Sequence, residues 1–394
     1  MPAVRSPGTP EADTLWSIGL MAPIVATFTF GVGLSLSLPL LSLILEARGV
    51  PSYLIGLNSA TAGIASIAAT PISVPLARRL GTAAGIAAAI AVAAIALIGF
   101  YLVEALWAWF LIRIAFHGAL TIIFVLSEYW ISSAAPERRR GLAMGLYGTA
   151  LSVGFAVGPT MLGVIGTKGF LPFGLGAAVL AVTALPILAA RGWQPRVATH
   201  GRTRILAFVA VAPLAMFASF TFGAVESGAM ALMPIYGIAV GFGQATAALM
   251  VSALALGNVV SQIPIGWLAD RIERRKLLLA CALVGVAGAA LVPVASANPL
   301  WLAAVLFVWG GVVAGLYTVG LTHLGSRYKG LDLVSANAAF VMMYASGVVV
   351  GPAAMGVGMD VWRPHGIAVV MGAILALYAV VAAVRLATAP PTGQ

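Results

Sequence analysis

Glu226 is the residue best placed for chemistry. It stands in Phe220-Thr-Phe-Gly-Ala-Val-Glu226-Ser-Gly228, a run with no other charge. A carboxylate so placed is desolvated and can take up and release protons as its surroundings change; a structural hydrogen-bonding Glu is the competing role. A second group is Arg113-Ile-Ala-Phe-His117-Gly118. Arg113 and His117 are one helical turn apart and share a face. Arg113 must find an anion or a carbonyl, and Glu226 is a candidate partner. His117 can shuttle protons or simply hydrogen-bond between helices. Asn258 and Gln262, spaced i,i+4, can hydrogen-bond a solute, as can Asn337, Tyr344, Tyr147, Tyr236 and Trp309. Helix–helix packing is the alternative for each of these.

Such groups need positioning, and composition says by what. Hydrophobic residues make up 61% of the 394 residues and charged residues 8%, with a mean hydropathy of +1.06. A soluble protein of this length needs a charged surface that these residues cannot supply. Long apolar runs must satisfy their own backbone in lipid, so the chain reads as all-α and polytopic. The runs do not alternate, which argues against a β-barrel. Cys281 is a single thiol in an apolar run, so there is no disulfide framework. Residues 1–14 are polar and carry Glu11 and Asp13; without a cleavage-type site, the first apolar run reads as a retained helix.

Hydropathy predicts twelve spans near 15–45, 52–77, 82–102, 106–132, 141–165, 171–190, 205–238, 244–269, 275–296, 299–325, 333–358 and 364–386. Pro39 and Pro234 are expected to help the long first and seventh spans tilt or bend. With both termini cytoplasmic, seventeen of the 21 Lys and Arg residues fall inside, three fall outside, and Arg113 lies within a span. This asymmetry sets the expected orientation. The net charge of +10 is therefore read as topology, with no nucleic-acid partner.

A shift of 193 residues superposes Pro71-Ile72 on Pro264-Ile265, Arg78 on Arg271 and Gly118 on Gly311. It also superposes Gly154 on Gly347, Gly158-Pro159 on Gly351-Pro352 and Gly163 on Gly356. Phe28-Thr-Phe-Gly31 recurs as Phe220-Thr-Phe-Gly223. The chain reads as two parallel six-helix repeats: a tail (1–14), a first bundle (15–190), a linker (191–204), a second bundle (205–387) and a tail (388–394).

These residues resemble the major facilitator superfamily over nearly the whole chain. Its loop signature, G-x-x-x-D-R-x-G-R-R/K, is matched by Gly266-Trp-Leu-Ala-Asp270-Arg271-Ile-Glu-Arg274-Arg275 except at Glu273. The first-half copy around Arg78 is degraded, with Ala77 opposite Asp270. Its antiporter signature is matched in register by Gly145, Gly154, Gly158, Pro159 and Gly163, with Leu162 departing. Its arginine signature is matched more loosely, because Gly118 follows Arg113 at five residues instead of four.

The resemblance implies a twelve-helix secondary transporter with two pseudo-symmetric bundles, in a bacterial inner membrane and probing both faces by alternating access. It implies that Asp270 helps lock the cytoplasmic side, with Arg271, Gly266, Arg274 and Arg275 in the same loop; a plain positive-inside loop is the alternative. It implies that the glycine motif favours antiport, although close helix packing explains those glycines equally well. The fourth and seventh helices would line the cavity, and a monomer is implied. Glu128, near Arg138 to Arg140 and Arg78, is expected in an inner salt bridge, either moving or static; His323 lies at the corresponding end of the tenth span.

No enzyme signature, ATP-binding loop, clustered His set or cofactor motif is present. The expected function is proton-coupled export of a small organic solute across a lipid bilayer. Uptake or facilitated diffusion of a sugar, amino acid or organic acid is the alternative, and a non-transporting sensor or assembly factor is the alternative of another class.

Overall fold

The computed structural model describes residues 17–135, 140–195, 210–328 and 330–388. Residues 1–14, Arg138, Arg139, most of the expected linker and residues 389–394 lie outside them. Every regular element described is helical. In order these are α1 (Ile18–Ala47), α2 (Ser52–Leu80), α3 (Thr82–Leu102), α4 (Leu106–Ala134), α5 (Arg140–Ile165), α6 (Leu171–Val182) and α7 (Ala184–Ala189). A 3-10 turn (Ala190–Trp193) follows, then α8 (Pro213–Ala239), α9 (Gln244–Arg271), α10 (Arg274–Ala295), α11 (Pro299–Arg327), α12 (Gly330–Val361) and α13 (Gly366–Ala387). Among the described residues, twelve segments are long and apolar enough to cross a bilayer.

The connections are short because little polar chain is available to build them. Gly81, at φ +88°, reverses the chain between α2 and α3, and Gly49, at φ +75°, does so after α1; both conformations favour glycine. The sixth span, Leu171–Trp193, is broken where a continuous helix was expected. Pro186 has no N–H to give the Val182 carbonyl, and the Thr183 hydroxyl donates to Leu180 O at 2.6 Å. Pro234 sits inside α8, and α1 runs unbroken past Pro39.

Two compact units divide the chain: Met1–Ser37 with Ile64–His200, and Leu38–Gly63 with Gly201–Gln394. Both α1 and α2 are thus shared between units.

Within the first unit, α1 and α5 approach closely. A Cβ on Gly31 would lie 2.7 Å from Leu151 O, and one on Gly154 would strike Phe28 O. The Ser35 hydroxyl donates to Gly154 O at 3.2 Å. The second unit repeats the arrangement between α8 and α12, where Cβ atoms on Gly347 and Gly351 would strike Phe220 O and Ala224 O. The Ser219 hydroxyl donates to Phe340 O at 2.7 Å. In lipid, helices associate through such close packing and not through a hydrophobic drive.

The aromatic residues repeat too. Phe30 and Phe124 stack at 4.7 Å, with Tyr147 6.4 Å beyond Phe124. One repeat later, Phe222 and Tyr317 lie 5.7 Å apart, with Phe340 4.9 Å from Tyr317. The first and seventh spans, α1 and α8, are the most enclosed of the twelve. An acid on α8 therefore has little water to turn to.

Candidate functional site

Glu226 lies midway along α8, among residues that are nearly all buried, and is 8% exposed itself. The Tyr344 hydroxyl of α12 donates to its Oε2 at 2.8 Å, and the Asn258 amide of α9 donates to its Oε1 at 3.3 Å. Polar contacts continue outward from there. Gln262 Nε2 donates to Asn258 Oδ1 at 2.7 Å, and the Thr318 hydroxyl of α11 donates to Gln262 Oε1 at 2.6 Å. Four helices of the second unit thus converge on one hydrogen-bonded chain ending at a carboxylate.

Aromatic rings wall it. Tyr344 lies 6.0 Å from Phe222 and 5.9 Å, edge-on, from Tyr317. Such a site offers one ionisable oxygen pair, two carboxamides, hydroxyls and π-faces. It can bind a proton or a polar or cationic organic group, and its amides and hydroxyls can re-pair as either arrives.

Glu226, Asn258, Gln262 and Tyr344, all singled out from the sequence, meet here. Asn337 lies two turns before Tyr344 on the same face of α12, and its buried Oδ1 has no hydrogen-bond partner among the described residues. Trp309 is not brought to the cluster: its indole N–H donates to Gly285 O at 2.9 Å and ties α11 to α10. Tyr236 also turns elsewhere, with its hydroxyl 3.2 Å from His365 Nδ1. Tyr147 belongs to the first unit's aromatic set.

Phe222, Tyr317 and Thr318 were not anticipated. The recurring Phe-Thr-Phe-Gly placed Phe222 only as part of a repeat, and nothing in sequence marks Thr318 among the other span hydroxyls.

In the first unit, Arg113 is fully buried on α4. His117 Nδ1 lies 3.2 Å from the Arg113 carbonyl oxygen. The Thr121 hydroxyl donates to His117 O at 2.8 Å and lies 2.9 Å from the Ser66 hydroxyl of α2. His117 also meets Phe116 edge-on. The expected shared face of Arg113 and His117 is present as a buried polar strip.

At the loop signature, Asp270 is exposed and forms no ion pair with a described residue. Arg271 instead stacks over Trp267, 3.8 Å from the ring centroid. Gly266 faces open space, and Glu273 pairs with Lys276 at 3.3 Å. Arg274 keeps its Nε buried, and Arg275 is half-buried and Arg78 exposed. Glu128 has no ion pair with a described residue, and its anticipated partners Arg138 and Arg139 lie outside the described residues. Of the glycine motif, Gly154 and Gly158 meet α1, whereas a Cβ on Gly145 would meet no described residue; Pro159 lies inside α5, and Gly163 is half-buried.

Asp360, Arg363 and Glu46, outside any motif, make further polar contacts within the second unit. Asp360, at the end of α12, accepts from Ser52 N at 3.1 Å and Tyr53 N at 2.7 Å, the first turn of α2. Arg363 donates to Glu46, at the end of α1, at 2.5 Å. Cβ atoms on Gly56 and Gly356 would strike Pro352 O and Ser52 O respectively. Charges at span ends look alike in sequence, so these partners could not be chosen there.

Sequence comparison settles the family. A profile of the Major Facilitator Superfamily matches residues 24–243 and 215–394. The chain belongs to the Major Facilitator Superfamily. It is 24% identical over 332 residues to the uncharacterized MFS-type transporter YfkF of Bacillus subtilis, covering 83% of this chain and 85% of that protein. It is 25% identical to the uncharacterized MFS-type transporter YcaD of Escherichia coli, covering 64% and 66%.

Among solved structures, the nucleoside transporter NupG superposes with a TM-score of 0.77 at 18% identity, covering 94% of this chain and 98% of NupG. A bacterial homologue of the human lysosomal transporter Spinster gives 0.73 at 14% identity, covering 96% of each. The fold is that of the superfamily, and this multi-pass membrane protein is a secondary transporter of a small solute, not an enzyme.

Proposed function

We propose that this transporter exports a small organic solute in exchange for protons, with Glu226 as the group that alternates between proton and solute. The observation that carries this reading is the enclosed carboxylate of α8, tied to Tyr344 and Asn258 and forming no ion pair with a described residue. In the cycle, two six-helix halves (15–190 and 205–387) joined by 191–204 rock about a midplane site, with both termini cytoplasmic. A proton arriving from outside neutralises Glu226. Solute arriving from inside competes for the same oxygens and aromatic faces, and its release outward requires reprotonation. The protein acts as a monomer.

The test uses purified protein in vesicles with an imposed pH gradient. The panel holds lipophilic cations, nucleosides, sugars, amino acids and organic acids; nucleosides are included because NupG is a nucleoside transporter. Accumulation of one solute against its gradient, abolished by a protonophore, is expected. Equilibration without accumulation would instead support facilitated diffusion. The Asn258–Gln262 amide pair, able to hold a neutral polar solute, favours that as the second reading.

The Asp360 contact then acts as an outer latch on α2. A carboxylate capping a helix N-terminus contributes about 1–2 kcal/mol, more than the half-exposed Arg363–Glu46 pair contributes. Asp360→Ala is therefore expected to open this end. A cysteine replacing Ser59, 1% exposed on α2, should react about tenfold faster with an impermeant maleimide applied outside. An unchanged rate would show that the contact is static.

A further inference from the structure

The basic end of the second unit carries a cleft separate from the Glu226 cluster. Its volume is about 210 Å³, and its basic lining is Arg275, His323, Arg327 and Arg385, with residues 211–215 at the start of α8 and Thr388 completing it. Drug-sized ligands occupy cavities of roughly 300–1,000 Å³, so this one suits an ion or a headgroup.

Four helix ends build it. Arg327 and Arg385 lie in the last turns of α11 and α13, where a helix dipole favours cations. Arg275 lies in the first turn of α10, where the dipole disfavours one. No ion pair joins Arg275, Arg327 or Arg385 to another described residue. Arg274 adds its charge to the field on His323 alongside Arg275 and Arg327, and its buried Nε has no partner among the described residues. The acids nearby in sequence are otherwise placed: Glu273 pairs with Lys276, and Asp270 is exposed. Like charges converging without a carboxylate are stabilised by an external anion, and guanidinium forks match phosphate oxygens. At the rim Val211 is apolar and 61% exposed, as expected beside acyl chains.

We propose that this cleft binds a phosphate group, supplied in the membrane by the headgroup of an anionic lipid. Basic pockets between membrane helices hold such headgroups, and α8, which carries Glu226, begins at this one. The site stands independently of the coupling assigned to Glu226.

The test uses the full chain in neutral detergent. Native mass spectrometry reads the fraction carrying one phosphatidylglycerol or one phosphatidylcholine, and a parallel arm adds inorganic phosphate as competitor. Wild type should prefer phosphatidylglycerol. Arg275→Gln/Arg327→Gln should lose about fivefold in affinity per arginine, roughly 25-fold together. Arg79→Gln/Arg191→Gln removes the same charge from exposed positions elsewhere in the chain and should change affinity less than about twofold. Arg275→Lys/Arg327→Lys, which keeps the charge and the fold but not the fork, should fall between.

Competition by millimolar phosphate would support the site and assign it to a soluble phosphate. Equal losses in the two Gln pairs, or no preference for the anionic lipid in wild type, would overturn it.

Discussion

Replacing Glu226 with Gln is expected to leave solute exchange in place and to abolish its coupling to protons. The substitution keeps the side chain's size and both hydrogen bonds. A Gln carbonyl can accept from Asn258 while its amide donates to the Tyr344 oxygen, taking over the contacts now made by Oε1 and Oε2. What it cannot do is gain or lose a proton. Counterflow of labelled solute, which needs the binding site and the conformational change alone, should persist, slowed only as far as solute binding draws on the carboxylate's charge. Accumulation driven by a pH gradient should fall to that of protein-free vesicles. Tyr344→Phe removes one donor to the carboxylate without removing the carboxylate. A hydrogen bond to a charged group contributes about 1.5–3 kcal/mol, so this variant should lose about tenfold in coupled transport and still remain coupled. Accumulation that stays driven by the pH gradient in Glu226→Gln would show that Glu226 is not the proton carrier.

The second large effect concerns the glycines, and there the sign changes along one motif. Gly158 and Gly351 are one repeat apart, and each faces a neighbouring helix so closely that a single added carbon would collide with it. The obstacle is Ser35 Oγ and the Leu36 backbone for Gly158, and the Ala224 backbone for Gly351. Backbone cannot rotate away, so alanine must push α5 from α1, or α12 from α8. Overpacking costs about 1–3 kcal/mol, and the Gly351 site should show the larger loss because all its nearest obstacles are backbone atoms. Gly145 and Gly266 lie in the family's signatures too, yet a Cβ on either would meet nothing within 4 Å among the described residues. There alanine removes glycine's helix penalty and should stabilise by up to about 1 kcal/mol. Folded fraction after heating, read by size-exclusion chromatography in detergent, should rank Gly266→Ala and Gly145→Ala at or above wild type and Gly351→Ala lowest. Uniform losses at all four positions would contradict a packing origin for the motif.

The fold was legible because lipid leaves so few choices. Apolar runs near twenty residues must be helices, and their ends followed hydropathy to within a few residues for most spans. The broken sixth span was not read, since its cause is local: one missing donor at Pro186. The division of α1 and α2 between units could not be read either, because it arises from long-range glycine contacts such as Gly56 on Pro352.

Much of the site was legible for a similar reason. Charge and amide groups in an apolar chain are few, so Glu226, Asn258, Gln262 and Tyr344 stood out, and i,i+4 spacing already joined two of them. Thr318 did not stand out, because a span hydroxyl bonds its own helix as readily as a neighbour; it does both here, to Ala314 O and Gln262 Oε1. Trp309 shows the opposite error of emphasis. Its indole N–H needed only one carbonyl, and α10 supplied it. Asp360 was passed over because capping a helix from another span depends wholly on tertiary placement.

Proton movement in inverted membrane vesicles tests the central claim most directly. Respiration builds a pH gradient, an interior-acid fluorescent probe reports it, and each solute of the panel is added in turn to vesicles with wild-type or Glu226→Gln protein. Proton-for-solute exchange through Glu226 predicts that at least one solute collapses part of the gradient with wild type and leaves it intact with the variant. The same collapse with both proteins, or none with wild type for a solute that it demonstrably exchanges, would contradict it.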